Sequence, residues 1–273
     1  MSNYLWLPIW ATAAIAGAVA LGVFKPRRLL GRSRLSVGEP RLFILRIVGF
    51  AMLTWSISIL ALGSVHQARL KREGQPASST LSEDETVVFG GVTELAVLMT
   101  MVVATMFTRA DGIRQTGINL RRIPSGVLGG ILGIAIVLPL IFYVDVITGW
   151  ALEHWNQSNP PHELLEILKN HPSAWLQAAD VISAGLVAPI AEEMFFRGLL
   201  QTLARNLFNS SWPAIFFSAA AFALVHHWWT WPQIFFLGLC LGYAYERTGN
   251  LWVSITMHAL FNLTSIWLFT HWG

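Results

Sequence analysis

Pro189-Ile190-Ala191-Glu192-Glu193-Met194-Phe195-Phe196-Arg197-Gly198 sets two carboxylates and a guanidinium inside a run, 175–204, that is otherwise mostly apolar. A helix that crosses hydrocarbon needs roughly 20 such residues, so this run is long enough to span a membrane. Adjacent carboxylates cannot both be comfortable as anions at low dielectric; one needs a cation nearby or must hold a proton. Arg197 follows Glu193 by one helical turn, the spacing at which side chains meet. That pairing leaves Glu192, roughly 100° further round the helix, free for chemistry. Pro189 removes a backbone hydrogen bond one turn earlier and predicts a kink with room for water.

The rest of the chain has the same character. Hydrophobic residues make up 54% of its 273 positions and charged residues 12%, with a mean hydropathy of +0.54. Soluble domains carry about 25% charged residues, so a soluble enzyme and a disordered chain are both excluded. Apolar runs lie at about 4–24, 42–64, 87–107, 126–150, 175–204, 212–229, 232–246 and 251–270. The expected fold is therefore all-α: a polytopic membrane protein of about eight transmembrane helices. Its expected organisation is a four-helix region at 1–150, an outer loop at 151–174 and a core at 175–273. In the loop, Asn159-Pro160-Pro161 precedes an amphipathic run, 163–168, that reads as a short interfacial helix. Residues 65–86 are polar, Ser-rich and acidic and read as a mobile outer loop.

The basic residues set the orientation. Lys25, Arg27, Arg28, Arg32, Arg34, Arg41, Arg109, Arg114, Arg121, Arg122, Arg205 and Arg247 fall in loops on one side, against Arg69, Lys71, Arg72 and Lys169 on the other. The positive-inside rule then puts both termini outside. Topology thus accounts for the basic balance, and no nucleic-acid partner is implied. The basic cluster follows the run at 4–24, as expected of a retained first span and not a cleaved signal. Cys240 is the single cysteine, so no intramolecular disulfide forms.

Few ionisable groups sit at depth, and each is a site candidate. Arg46 can snorkel to the membrane edge, and Asp145 is read as water-contacting near the outer edge. Glu94 lies within the third span, where nothing in the sequence identifies a partner. The remainder cluster in the last 85 positions: Glu192, Glu193 and Arg197, then Phe222-x-x-x-His226, then His258-x-x-x-Asn262. His258 and Asn262 share a helix face. Counting from the 209–211 turn puts Glu192 and His226 level, with His258 roughly 10 Å shallower at 1.5 Å per residue. His227 is read as interfacial, among Trp228, Trp229 and Trp231. A carboxylate base, an imidazole and amide donors are what water-driven acyl cleavage requires; helix-to-helix glue is the competing reading of each residue taken singly.

This three-part pattern, with the stretch GLCLGYAYERTGNLWVSITMHALFN at 238–262, resembles the signature of the CPBP family, the CAAX-processing and bacteriocin-immunity (Abi) type of intramembrane protease. The resemblance covers about residues 175–270, so the catalytic core is expected in the last four helices. It implies an endopeptidase acting on a membrane-associated or lipidated, CAAX-like protein in a bacterial cytoplasmic (inner) membrane. Carried over by motif position, Glu192 and His226 activate the attacking water, His258 and Asn262 stabilise the oxyanion, and Glu193, Arg197 and Phe222 support the site. A metalloprotease with Zn²⁺ on two His and a Glu fits the residue types, but the HExxH helix is absent; a metal-free glutamate mechanism is the preferred expectation. The alternative is a non-catalytic membrane immunity or scaffold protein of the same family. A transporter is disfavoured by the lack of an inverted repeat. Substrate, side of entry and oligomeric state are not encoded in any of these patterns.

Overall fold

In the computed structural model the described residues are 41–108, 116–157, 165–166, 168 and 173–272. The expected span at 4–24, its basic loop at 25–40, Arg109, Arg114, the Asn159–Pro161 stretch and most of the expected interfacial helix lie outside them. Seven helices make up the described residues: α1 (Arg41–Glu73), α2 (Glu83–Thr108), α3 (Ile123–His154), α4 (Ala174–Phe208), α5 (Ser211–Leu224), α6 (Trp231–Thr248) and α7 (Leu251–Trp272). No strand occurs among them, and five helices, α1 to α4 and α7, are long and apolar enough to cross a membrane. The protein is an all-α, polytopic, integral membrane protein.

Short turns make successive helices antiparallel. One end of the bundle carries Arg121, Arg122, Arg205 and Arg247, and the other carries Trp150, Trp155, Trp228, Trp229 and Trp231. Two elements differ from the sequence reading. The stretch 65–86 is largely helical: α1 runs to Glu73, and α2 starts at Glu83 behind a capping box. There the Glu85 amide donates to Ser82 Oγ (3.3 Å) and the Ser82 amide to Glu85 Oε2 (3.1 Å). Buried His66 lies 2.9 Å from the same carboxylate and ties the hairpin end together. The expected helix 212–229 stops at Leu224 instead, because His227 is extended (φ −63, ψ 136) and Trp228–Thr230 form a 3₁₀ turn. Its 14 residues cover only about 21 Å, short of the roughly 30 Å hydrocarbon core.

α4 departs furthest from regularity. Ser183–Val187 and Met194–Gln201 are π-wound, and the α-helical segment Ala188–Glu193 lies between them. Pro189 has no N–H to return to the preceding turn, and its ring crowds the carbonyl there. The wider winding at 183–187 absorbs this, so the proline gives a π turn rather than a sharp kink. Two apolar clusters enclose the middle of this helix. Ile44, Ile47, Met101 and Met194 belong to one; Phe196, Phe222, Leu237 and Met257 belong to the other.

Glycines bring α3 against α7. A Cβ at Gly126 would sit 2.4 Å from the Trp252 Cβ, one at Gly130 2.4 Å from the Thr256 Cβ, and one at Gly133 2.8 Å from the Met257 sulfur. The backbones can approach this closely only because no side chain intervenes. This contact positions the helix that carries His258 and Asn262.

Candidate active site

The centre is assembled from α4, α5 and α7. Arg197 Nη1 donates to Glu193 Oε1 over 2.7 Å, and both side chains are fully buried. A second guanidinium nitrogen, Nη2, donates to the Gly238 carbonyl of α6 at 3.2 Å. Glu193 Oε1 also lies 3.0 Å from His258 Nδ1. A carboxylate paired to arginine only accepts, so Nδ1 carries the proton and the ring is held in one orientation. The other nitrogen, Nε2, then faces Glu192 Oε2 at 3.9 Å. That gap is too long for a hydrogen bond, and Glu192 Oε2 is itself buried with no hydrogen-bond partner among the described residues. Glu192 keeps 30% of its side-chain surface accessible, against 0% for Glu193. Of the two carboxylates, Glu192 is the one a substrate can reach.

By residue count His258 is expected about a third of a membrane away from Glu192, roughly 10 Å. The structure closes that distance by insetting the turn between α6 and α7. Asn250 and Leu251 are buried there. The Leu251 amide donates to Gly117 O (3.2 Å), Arg122 Nη1 donates to Gly249 O (2.9 Å), and Asn250 Nδ2 donates to Arg122 O (3.1 Å). Gly249, at φ +55, supplies the left-handed residue that ends α6. α7 therefore starts inside the bundle, covered by the segment Thr116–Arg122, and not at its surface. The Arg-Thr-Gly-Asn-Leu-Trp turn sets depth.

His226 stands just past the end of α5. Its Nδ1 lies 2.7 Å from the Phe222 carbonyl; a carbonyl only accepts, so Nδ1 donates and Nε2 presents its lone pair. The link from His226 to the remaining residues is the fully buried Phe222 ring. It meets His226 at 4.8 Å and His258 at 5.5 Å between centroids, both edge-to-face. Arg197 Cζ lies 4.5 Å from the centroid of the same ring, a cation–π contact. Phe222 thereby fixes the spacing of two imidazoles and a guanidinium.

Asn262 points elsewhere in part: its Nδ2 donates to the Ala184 carbonyl, 2.7 Å away in the first π turn. An amide has two N–H donors, so one is left for a ligand. Arg46 and Asp145 are exposed on the helix surface, and His227 is exposed and stacked on Trp229 with centroids 4.5 Å apart.

The sequence reading missed the cluster around Glu246 and the partner of Glu94. Glu246, 4% exposed, accepts from Ser211 Oγ (2.7 Å), Gln201 Nε2 (3.4 Å) and Arg205. The signal was present as matched i,i+4 pairs, Gln201/Arg205 on α4 and Gly242/Glu246 on α6. Glu94 accepts from Ser183 Oγ at 2.7 Å, for which no local spacing offers a clue.

Among the described residues no three His, Cys, Asp or Glu side chains converge as a metal site. His258 Nδ1 is committed to Glu193 and His226 Nδ1 to a carbonyl. Both commitments leave Nε2 free, as in metal-binding histidines, but fewer than three such side chains converge among the described residues.

Residues 174–264 match the type II CAAX prenyl endopeptidase Rce1-like family. Over 78 residues the chain is 37% identical to the uncharacterized protein YpbD of Bacillus subtilis (strain 168), covering 29% of this chain and 39% of that protein. Over 130 residues it is 29% identical to the UPF0177 protein YaiF of Lactococcus lactis subsp. lactis (strain IL1403), covering 46% of this chain and 58% of the relative. The matched lengths thus span less than two thirds of either curated relative. No solved structure is significantly similar. Every residue of the centre falls within the segment 174–264 that matches the Rce1-like family, a match consistent with the CPBP resemblance of the three motifs.

Proposed function

We propose that the protein is an intramembrane endopeptidase that uses Glu192 to activate water against a peptide bond of a membrane-associated or lipidated, CAAX-like protein. The observation that carries this reading is the Arg197–Glu193–His258 relay, which aims His258 Nε2 at the accessible Glu192 across 3.9 Å. In the proposed reaction Glu192 takes a proton from the water, and the hydroxide adds to the scissile carbonyl. The second N–H of Asn262 donates to the resulting oxyanion, joined by His258 Nε2 when the ring carries both protons, Nδ1 staying on Glu193. The tetrahedral intermediate collapses with cleavage of the C–N bond as Glu192 returns its proton to the leaving amine; His226 Nε2, which presents a lone pair, assists Glu192 as a base in the first step. No step is routed through a metal. An open apolar cleft of about 450 Å³ lined by Val144, Ile147, Leu152, Trp155, Trp228 and Trp231 adjoins His226, whose carbonyl accepts from Trp231 Nε1 at 3.0 Å. It supports a substrate that carries an apolar chain.

The test is cleavage of C-terminally lipidated peptides by the purified protein in liposomes. Glu192→Gln should lower kcat by roughly 10²–10⁴-fold, the usual contribution of a positioned general base, and leave the fold intact by thermal melt. Wild-type protein that cuts nothing, or Glu192→Gln that cuts normally, sinks the proposal and leaves a non-catalytic membrane partner as the better reading. Residence in a bacterial cytoplasmic membrane with both termini outside belongs to the same proposal; the arginines gathered at one end of the bundle support that orientation.

A further inference from the structure

Glu94 is the intramembrane carboxylate for which the proposed chemistry has no use. It belongs to α2, outside the matched segment 174–264, and is partly buried in the bundle. An ionisable group at that depth is retained at a cost, so what it holds matters. Its Oε2 accepts the Ser183 hydroxyl proton at 2.7 Å. Ser183 is the first residue of the π turn Ser183–Val187. The next carbonyl along, that of Ala184, accepts the Asn262 amide at 2.7 Å. Asn262 lies one turn beyond His258 on the same face of α7.

The bonds thus form a chain across three helices, from α2 through the first π turn of α4 to α7. The π turn is the deformable part of this chain. Its winding is a rare local state, typically kept where a site needs it, and Gly185 within it packs so closely on α7 that a Cβ would lie 2.6 Å from Leu263. A shift of the Ser183–Ala184 backbone moves the acceptor that orients the Asn262 amide plane. Among the described residues Glu94 is the one acceptor of the Ser183 hydroxyl.

Resting on the peptidase reading, we infer that Glu94 is a positioning residue for the oxyanion donor: through Ser183 it holds the π turn whose Ala184 carbonyl orients Asn262. The helical hairpin α1–α2 then sets part of the geometry of a centre to which it contributes no reacting group.

Three single variants and one double variant of the whole chain separate this from simple packing. Glu94→Leu and Ser183→Ala each break the link from one side. Each should lower kcat about ten-fold with KM within about two-fold, the size of one lost orienting hydrogen bond. Glu94→Gln keeps a carbonyl acceptor and should restore most of the activity. The double variant Glu94→Leu/Ser183→Ala should be no slower than either single one, because both remove the same link. Additive losses, wild-type kinetics in Glu94→Leu, or a Glu94→Gln variant as slow as Glu94→Leu would each overturn the inference.

A second readout needs no turnover. The ¹⁵N side-chain amide resonance of Asn262, identified by its loss in Asn262→Asp, should move in Glu94→Leu and Ser183→Ala and stay in place in Glu94→Gln. If wild-type protein cuts no peptide yet the resonance responds this way, the peptidase reading fails and the positioning link stands. A resonance indifferent to all three variants overturns the link whatever the activity. Should Glu94→Leu fail to fold, Ser183→Ala carries the same test with the loss of a single oxygen.

Discussion

The Glu193–Arg197 pair is fully buried, and its value lies in what it orients more than in raw stability. A buried ion pair is costly to desolvate, and removing one partner alone leaves the other charge stranded, at about 3–5 kcal/mol. Arg197→Leu should therefore lower the melting temperature in detergent sharply, whereas Glu193→Gln/Arg197→Met should recover most of the lost stability without recovering peptide cleavage. A single variant as mild as the double one would contradict this account. The pair itself was legible in the sequence, because i,i+4 contacts on one helix follow from local periodicity. Its hold on His258 Nδ1 was not, since the two residues lie 65 positions apart and meet only when α4 and α7 pack.

At the scale of elements, the glycine seam between α3 and α7 decides where His258 stands. Substitutions along it should be graded by the space each position offers. On the seam, Gly130→Ala meets the Thr256 Cβ at 2.4 Å and Gly129→Ala meets Val253 at 3.4 Å; off it, on α1, the control Gly49→Ala meets nothing within 4 Å. Gly130→Ala is expected to cost about 1–3 kcal/mol through overpacking, Gly129→Ala little, and Gly49→Ala nothing or a small gain from helix propensity. Thermal melts of the three variants check this order. The spacing Gly129/Gly133 was visible in the sequence as a generic small-residue motif, yet the tightest contacts fall at Gly126 and Gly130. Spacing identifies a face that permits close approach; the crossing point and rotation of the partner helix choose which residues on it touch. The same limit applied to α5. Its apolar run continued past Leu224 in the sequence, but His227 and the Trp228–Thr230 turn end the helix early and bring His226 to its tip.

For the whole molecule, the orientation proposed from the arginines can be read directly. In a Cys240→Ala background, Ser78→Cys, exposed between α1 and α2, should react with an impermeant maleimide on intact cells. Leu120→Cys, 73% exposed at the arginine end, should react only after permeabilisation; the reverse pattern would invert the topology. Sequence by itself determined the membrane class and the all-α architecture and singled out the candidate residues of the centre, because hydropathy and motif spacing are properties of a linear chain. Only the tertiary structure decided that the α6–α7 turn is inset, bringing His258 level with Glu192, that the Phe222 ring spaces both imidazoles, and that Glu94 reaches Ser183. These depend on helix depth and rotation, which close packing and long-range hydrogen bonds fix after the spans are made.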